Sequence, residues 1–139
     1  MIILDTNVVS ELMRPQPDPA VLNWLDLQAA SSIWTTSVSL MESRAGLKLL
    51  PAGRRRADLE RELEAVFRED ISGRIAPFDT AAAEHAAELS VRQRITGRTV
   101  DIRDTMIGGI VLACNALLAT RNVSHFQELS SRVINPWIG

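Results

Sequence analysis

The sequence predicts an α/β fold, a three-layer α/β/α domain around a mainly parallel sheet of four to five short strands. Short runs of large apolar and β-branched residues, typical of strands buried on both faces, recur along the chain. Segments with apolar residues at helical spacing separate these runs. Such alternation favours a parallel sheet covered by helices on both faces. The 139 residues contain no repeat and no linker-like stretch, so we expect one domain over residues 1–139.

The opening stretch predicts a strand that ends in an acid. Residues 2–4 are Ile-Ile-Leu and form the strand, and Asp5-Thr6-Asn7 has the turn and N-cap chemistry that begins a helix. In open α/β sheets, ligands bind at the carboxyl ends of the strands. Asp5 is therefore either a site residue or only the cap of the helix, and the stretch alone leaves both open.

The next segment contains a second acid. We predict a helix from residue 19 to about residue 30, a strand over 32–36 and a helix from 38 to about 50. Ser37 or Ser39 would cap the last of these helices. Glu42 lies in its first turns, where the helix dipole favours an acid in any case. A site role and a purely helical role therefore both remain for Glu42.

A charged helix is predicted from Arg54 to Ile71. Its start, Arg54-Arg55-Arg56, places cations at the electrostatically unfavourable end of a helix. Two interpretations stay open for this triplet, a solvated helix start or a basic patch that grips RNA or a protein partner. A strand over 74–78 follows, and then a helix that Asp79 caps and that runs to about residue 95.

The last third of the chain contains the third acid. Asp101-Ile102-Arg103-Asp104 leads into a helix predicted over 105–115. Gly108 and Gly109 cost that helix about 1 kcal/mol each relative to alanine, which predicts a very close approach of its backbone to the sheet. After it we predict a strand over 116–120, a helical turn over 125–129 and an edge strand over 132–135.

Composition limits the classes of function. The formal net charge of −2 argues against a protein that coats nucleic acid nonspecifically, although a local basic groove is compatible with it. A single cysteine, Cys114, provides neither a disulfide framework nor a cysteine metal cluster. The longest apolar stretch, 106–119, is too short to cross a bilayer. The first residues lack the basic leader of a signal peptide, so we expect a cytoplasmic protein without a membrane partner.

Four polar residues hold comparable positions in this predicted fold. Asp5 and Asn122 come just after strands, and Glu42 and Asp104 lie near the starts of helices. In a parallel sheet such positions converge on one edge, where clustered carboxylates are neutralised either by protonation or by a cation. Oxygen ligands without histidine or cysteine select Mg²⁺ or Mn²⁺. Mg²⁺ held in this way typically works on a phosphate substrate.

Five segments of the chain resemble the motifs of PIN domains. They are Ile3-Leu4-Asp5-Thr6-Asn7-Val8, Ser37-Val38-Ser39-Leu40-Met41-Glu42, Asp104-Thr105-Met106-Ile107, Leu118-Ala119-Thr120-Arg121-Asn122 with His125-Phe126, and Asn135-Pro136-Trp137. They span nearly the whole chain in the family's order and are most similar to VapC/FitB-type toxins of bacterial toxin–antitoxin pairs. The resemblance implies a Mg²⁺-dependent endoribonuclease, with Mn²⁺ as an alternative ion and tRNA or another structured RNA as substrate. It also implies a homodimer that a small VapB-like antitoxin inhibits by placing its C-terminal segment in the active site, within a heterotetramer or larger complex.

The same resemblance assigns roles to single residues. Asp5, Glu42 and Asp104 match the acidic triad of the family, as metal ligands or as groups that position the attacking water. Asn122 stands where many members have a fourth acid and would join the catalytic set without bringing a charge. Asp101 could supply that missing charge, and its alternative role is to cap the helix. The supporting residues are Thr6 and Asn7, which would hold the Asp5 turn, Thr120, which would bond a ligand carboxylate or a metal-bound water, and Arg103 or Arg121, which would contact RNA phosphate.

Three other classes of protein share parts of this pattern. A phosphatase of the haloacid dehalogenase type needs a second acid two residues after the first, where this chain has Asn7, and a catalytic lysine, whereas the only lysine is Lys48 in an amphipathic helix. A receiver domain needs an acidic pair after the first strand and a lysine after the last, and both are missing. A catalytically degenerate PIN domain that only binds a partner is the non-enzymatic alternative.

Overall fold

The structure, a computed structural model, describes residues 1–138 and has a five-stranded sheet at its centre. The strands are β1 (Ile2–Leu4), β2 (Ile33–Thr36), β3 (Ile75–Ala76), β4 (Leu117–Ala119) and β5 (Val133–Ile134). Their spatial order is β3-β2-β1-β4-β5, and each neighbouring pair is parallel. The predicted parallel sheet is confirmed; β1 has its predicted bounds, and the other four strands are shorter than predicted.

Six α-helices cover this sheet in the described part of the chain. They are α1 (Thr6–Leu12), α2 (Pro19–Asp26), α3 (Ser37–Lys48), α4 (Arg54–Ala65), α5 (Thr80–Ile95) and α6 (Ile102–Ala113). A kinked 3₁₀ helix over Val123–Arg132, called here the C-terminal helix, connects β4 to β5. None of the helices within residues 1–138 is long and apolar enough to cross a membrane.

The two faces of β1 support two separate hydrophobic clusters, because successive side chains of a strand point to opposite faces. Ile2 and Leu4 pack in a cluster with Val8 of α1 and Leu63 of α4. Ile3 packs on the other face, in a cluster that includes Ile107 of α6. The expected three-layer α/β/α arrangement is therefore confirmed, with α1 to α4 supplying one outer layer and α5, α6 and the C-terminal helix the other.

The start of α6 differs from the sequence prediction. The helix begins at Ile102 rather than Thr105, because Asp101 is its N-cap and accepts a hydrogen bond from the Arg103 amide at 2.9 Å. Asp104 is consequently in the first turn, where the positive end of the helix dipole favours a negative charge. This cap, one of the two roles that the sequence analysis gave to Asp101, determines where the third acid of the site lies.

Other helix boundaries also differ. Thr36 caps α3 in place of Ser37 or Ser39, and its hydroxyl accepts a hydrogen bond from the Ser39 amide at 3.0 Å. The last strand residue thus serves as the cap, which leaves no loop between β2 and α3. The helix predicted to reach Ile71 is α-helical only to Ala65 and continues as a π-helical turn. Similarly, α2 ends before residue 30, at Asp26.

The paired glycines of α6 approach α5, so the prediction that they approach the sheet is wrong. A Cβ atom added at Gly109 would lie against the Ala82 carbonyl oxygen and 2.8 Å from the Ala86 Cβ atom. At Gly108 an added Cβ would lie 2.9 Å from a methyl carbon of Leu89. The small residues of both helices thus allow the backbones of α5 and α6 to meet, and α5 positions α6 and the acid at its start.

We predict that Gly109→Ala lowers the free energy of unfolding by roughly 2 kcal/mol, because the added methyl overpacks a contact with fixed backbone atoms. Gly46→Ala is the matched control, since Gly46 lies within α3 and has no atom within 4 Å of the added Cβ. It should raise the free energy of unfolding by about 0.5–1 kcal/mol. Urea denaturation of both variants measures these changes, and equal effects would contradict the tight α5–α6 contact.

Candidate active site

The predicted acids meet at the carboxyl edge of the sheet. Asp5 directly follows β1, Glu42 lies on the helix that follows β2, and Asp104 is in the first turn of α6. Because β2 and β4 flank β1 on opposite sides, this edge is the topological switch point at which open α/β sheets bind ligands. Burial is the main reason that the pKa values of Asp5 and Asp104 are raised, and a smaller increase comes from the Asp104 charge at Asp5 and from the Glu42 charge at Asp104.

Asp5 is buried, and both of its carboxylate oxygens accept hydrogen bonds. Its side chain accepts hydrogen bonds from the Thr6 amide and the Thr120 hydroxyl, both at 2.8 Å, and from the Asn7 side-chain amide at 3.3 Å. Burial is the main reason that the pKa of Asp5 is raised, and the bonds from Thr120 and Thr6 oppose the increase. Asp5 therefore caps α1 and belongs to the acidic group at once, so its two sequence interpretations are compatible.

Thr120 and Asn7 connect the end of β4 to α1. The Thr120 hydroxyl accepts hydrogen bonds from the Asn7 side-chain amide at 3.2 Å and from the Asn122 backbone amide at 3.0 Å. The side-chain oxygen of Asn7, Oδ1, in turn accepts a hydrogen bond from the Arg121 backbone amide at 3.2 Å. Asn122 therefore reaches this network through its backbone, while its exposed side chain does not cap the C-terminal helix.

Glu42 has a different partner for each carboxylate oxygen. The Thr6 hydroxyl donates to Glu42 Oε1 at 3.0 Å and lies 3.0 Å from the Ser39 hydroxyl. On the other side, the Arg103 guanidinium lies 3.4 Å from Glu42 Oε2. Thr6 thus links the first two acids of the site, because its amide binds Asp5 and its hydroxyl binds Glu42.

Arg103 and Asp101 form a surface ion pair beside the site. Arg103 donates to both carboxylate oxygens of Asp101, at 2.7 and 3.0 Å. These bonds lower the pKa of Asp101 to about 2. Asp101 therefore caps α6 and has its charge balanced by Arg103 at the surface, rather than turning toward Asp5 as an extra acid. Arg103 lies between Asp101 and Glu42 and contacts both.

His125 is a contact of the site that sequence reasoning missed. Its Nδ1 atom lies 3.1 Å from Asp104 Oδ2, and about half of the imidazole is exposed. The pKa of Asp104 is raised by burial and by the charges of Asp101 and Glu42, and His125 opposes this shift. The sequence analysis quoted His125 only as part of a motif. No spacing rule relates it to Asp104, since the C-terminal helix and α6 meet only in the folded chain.

The carboxylate oxygens at the acidic edge are suitable ligands for a metal ion, but they do not surround a single point. Within residues 1–138, no three His, Cys, Asp or Glu side chains converge closely enough to hold an ion together. Two of the acids have partners in the protein, because Arg103 contacts Glu42 and His125 contacts Asp104. Mg²⁺ needs only one or two carboxylates, because it retains several of its waters. Oxygen donors at a half-open edge therefore fit a hydrated Mg²⁺ or Mn²⁺ ion.

The arginine triplet lies apart from this group of acids. Arg54 and Arg55 line a cavity of about 760 Å³, together with residues of α1, α3 and α4 and with none of the predicted site residues. Arg56 forms an ion pair with Glu60, one turn further along α4, at 2.8 Å. The triplet is therefore not part of the acidic edge.

Known proteins share this architecture over their whole length. The family model described as PIN domain matches residues 2–130. A VapC ribonuclease, Y4jK, from Sinorhizobium fredii is 36% identical over 99% of this chain and 98% of its own. Toxin FitB from Neisseria gonorrhoeae is 33% identical, over 99% of both proteins. The crystal structure of FitAcB from Neisseria gonorrhoeae superimposes with a TM-score of 0.87 at 33% identity, covering 99% of each chain. The resemblance inferred from the motifs is thereby confirmed, and the chain belongs to the PIN domain family.

Proposed function

We propose that this chain is a Mg²⁺-dependent endoribonuclease toxin that hydrolyses RNA phosphodiester bonds and that a cognate antitoxin neutralises. The observation that carries the proposal is the group of three carboxylates, Asp5, Glu42 and Asp104, at the carboxyl edge of a parallel sheet. The full-length similarity to proteins named as a VapC ribonuclease and as a toxin supports the same activity.

The electrostatics of the three acids favour a bound cation. Burial and, to a smaller extent, the charges of neighbouring acids raise the pKa values of Asp5 and Asp104, and a divalent ion would relieve both costs. Asp5, Glu42 and Asp104 would hold Mg²⁺ or, as an alternative, Mn²⁺, in part through the waters that the ion retains. When bound, the ion would activate a water and stabilise the leaving oxygen of the phosphodiester.

Neighbouring residues have defined tasks in this proposal. Thr6 and Thr120 fix the orientation of the Asp5 carboxylate, and His125 orients Asp104. The side-chain amide of Asn122 is exposed and stands where many members of the family have a fourth acid. It would hydrogen-bond a water or a substrate oxygen. A group that is already held in its working orientation needs little reorganisation when the substrate arrives.

Arginines on both sides of the acids would bind the RNA backbone. Arg103 lies against Glu42. Arg121, just past β4, lies with its guanidinium carbon 5.0 Å from the centre of the Trp137 ring, a cation–π distance. Guanidinium groups bind phosphate oxygens through two parallel hydrogen bonds, so both residues suit a polyanionic substrate.

The proposed partner is a small VapB-like antitoxin whose C-terminal segment enters the acidic edge. With it we expect a homodimer of this chain in a heterotetramer or larger assembly, located in the cytoplasm. The similarity to FitB and FitAcB supports the antitoxin partner, and the homodimer and the larger assembly are part of this proposal. Coexpression with the antitoxin should relieve growth arrest, which tests neutralisation. Sedimentation of the purified complex measures the size of the assembly.

Two alternatives have less support. In a haloacid dehalogenase-like phosphatase the residue two positions after Asp5 would be an acid, but Asn7 donates its amide to Asp5 and Thr120 and so holds the turn. The only lysine of the sequence, Lys48, lies at the end of α3. A degenerate PIN domain would have lost at least one acid of the triad, and this chain retains all three.

We predict that Asp5→Asn lowers RNA cleavage by about 100-fold or more, since the variant loses a charge that would hold the ion. The variant should fold with a loss of about 1–3 kcal/mol in the free energy of unfolding, because asparagine can still cap α1 but its amide nitrogen cannot accept from Thr120 and Asn7. The matched control is Asp79→Asn, which alters the cap of α5 outside the site. Purified proteins are incubated with total cellular RNA in Mg²⁺ and in EDTA, and fragments are resolved by gel.

Fragments that need both Asp5 and Mg²⁺, and that Asp79→Asn still produces, would establish the nuclease. Cleavage that persists in EDTA would contradict a metal-dependent mechanism. A folded wild-type protein that cleaves nothing would favour the binding-only alternative.

We predict that Asp104→Asn stabilises the metal-free protein at neutral pH although it abolishes activity. The folded-state pKa of Asp104 lies above its unfolded value of 3.8, so its ionisation costs stability as pH rises from about 3.8 through the folded-state pKa. Asparagine removes that cost, and the two proteins should converge in stability below pH 3.8. Thermal unfolding in EDTA between pH 3 and pH 8 measures the difference. Glu84→Gln, at an exposed site on α5, is the control and should show no such trend.

A further inference from the structure

A polar cavity of about 330 Å³ opens directly beside Asp104. The linker between α5 and α6 supplies one wall through Thr99 and Asp101, and the start of the C-terminal helix supplies the other through Ser124, His125 and Gln127. Asp104 and His125 therefore belong both to this cavity and to the acidic edge. Small-molecule sites in proteins have volumes of about 300 Å³ or more, so the cavity is large enough for one small organic group.

A network of hydrogen bonds and one ion pair holds the two walls in place. Arg98 donates to the backbone carbonyls of Ser124 and His125, at 3.1 and 3.2 Å, and its Nε atom lies 2.9 Å from a Glu128 carboxylate oxygen. Glu128 also accepts from the buried Gln93 amide of α5 at 3.3 Å. Gln93 in turn accepts from the hydroxyl of Thr105, the residue next to Asp104, at 3.0 Å. Because α5, α6 and the C-terminal helix are cross-linked here, the cavity is preformed.

The charges around the cavity disfavour a phosphate inside it. The guanidinium of Arg98 is already engaged by Glu128 and by two carbonyls, so its charge is balanced. The other ionisable groups in the lining are the carboxylates Asp101 and Asp104 and the imidazole of His125. A neutral group that forms hydrogen bonds is therefore the better occupant.

The uncharged lining matches the chemistry of a nucleobase. Gln127, Ser124 and Thr99 each offer a donor and an acceptor, and all three side chains are exposed. The half-exposed imidazole of His125 provides a flat surface against which a base can stack. Proteins read single-stranded RNA through this combination, by stacking the splayed base and hydrogen bonding its edge.

We propose that this cavity binds the unpaired nucleobase of the nucleotide next to the scissile phosphate and makes cleavage base-selective through Gln127, Ser124 and Thr99. The proposal rests on the ribonuclease function above and adds to it a specificity site. A phosphate held at the acidic edge would place its neighbouring nucleoside beside Asp104, where the cavity opens. The base must be unpaired, because a base stacked in a duplex cannot enter a pocket.

The test uses a pool of single-stranded RNA with randomised sequence, which the purified protein cleaves in Mg²⁺. Sequencing of the fragment ends aligns every product on its cut bond. We expect one position adjacent to that bond to show about a tenfold preference between the best and the worst base, the size of one well-placed hydrogen-bonded contact. Gln127→Leu, and Gln127→Leu combined with Ser124→Ala, should bring this ratio toward one. Ser130→Ala is the control, since Ser130 is exposed on the same helix outside the cavity, and it should keep the wild-type ratio.

Two results would overturn the proposal while leaving the nuclease intact. One is wild-type cleavage with no base preference at either nucleotide flanking the cut bond. The other is an unchanged preference in both Gln127 variants. A binding experiment tests the cavity separately from the ribonuclease activity. In it, the same RNA pool is bound to the protein in EDTA, and the bound RNA is recovered on filters and sequenced. Selective binding without cleavage in Mg²⁺ would contradict the ribonuclease and support the base pocket.

Discussion

The burial of one carboxylate at the end of a three-residue strand is the constraint on which the rest of this structure depends. Asp5 is 4% exposed. Its charge is tolerable in this buried position only because three hydrogen-bond donors, from two segments of the chain, point at its carboxylate. The donors come from the start of α1 and from Thr120, which directly follows β4. To supply them, β1 and β4 must pair in one register, and that pairing brings the end of β4 to the start of α1.

The site also shows how neighbouring side chains moderate the repulsion between acids. Glu42 is bonded to Thr6 on one side and approached by Arg103 on the other, while Asp104 is approached by His125. These partners lower the cost of clustering the charges, but the pKa values of Asp5 and Asp104 remain raised. The arrangement is consequently strained electrostatically, as is common where function and stability compete.

Patterns confined to one strand or one helix could be predicted from the sequence. The apolar run before Asp5 and the alternation of strands and helices were available from local order, and the general rule for parallel sheets then placed the acids at one edge. Contacts between distant elements were not available in this way. The glycines of α6 signalled a close approach, but only the fold shows that α5 is the partner, because a missing side chain does not specify what fills its space. The contact of His125 with Asp104 likewise depends on the packing of the C-terminal helix, which local periodicity does not encode.

The short central strand has a consequence for the way this protein loses activity. The Asp5 amide donates to the carbonyl oxygen of Ala119 at 2.9 Å, so the acid is attached by its own backbone to the middle of the sheet. Groups bonded in this way are exposed to solvent only when the whole domain opens, not by fraying of a loop. Amide hydrogen exchange at Asp5 should therefore be among the slowest in the chain, and any opening that separates β1 from β4 also dismantles the acidic centre. The pairing of these two strands and the capacity for catalysis are lost together.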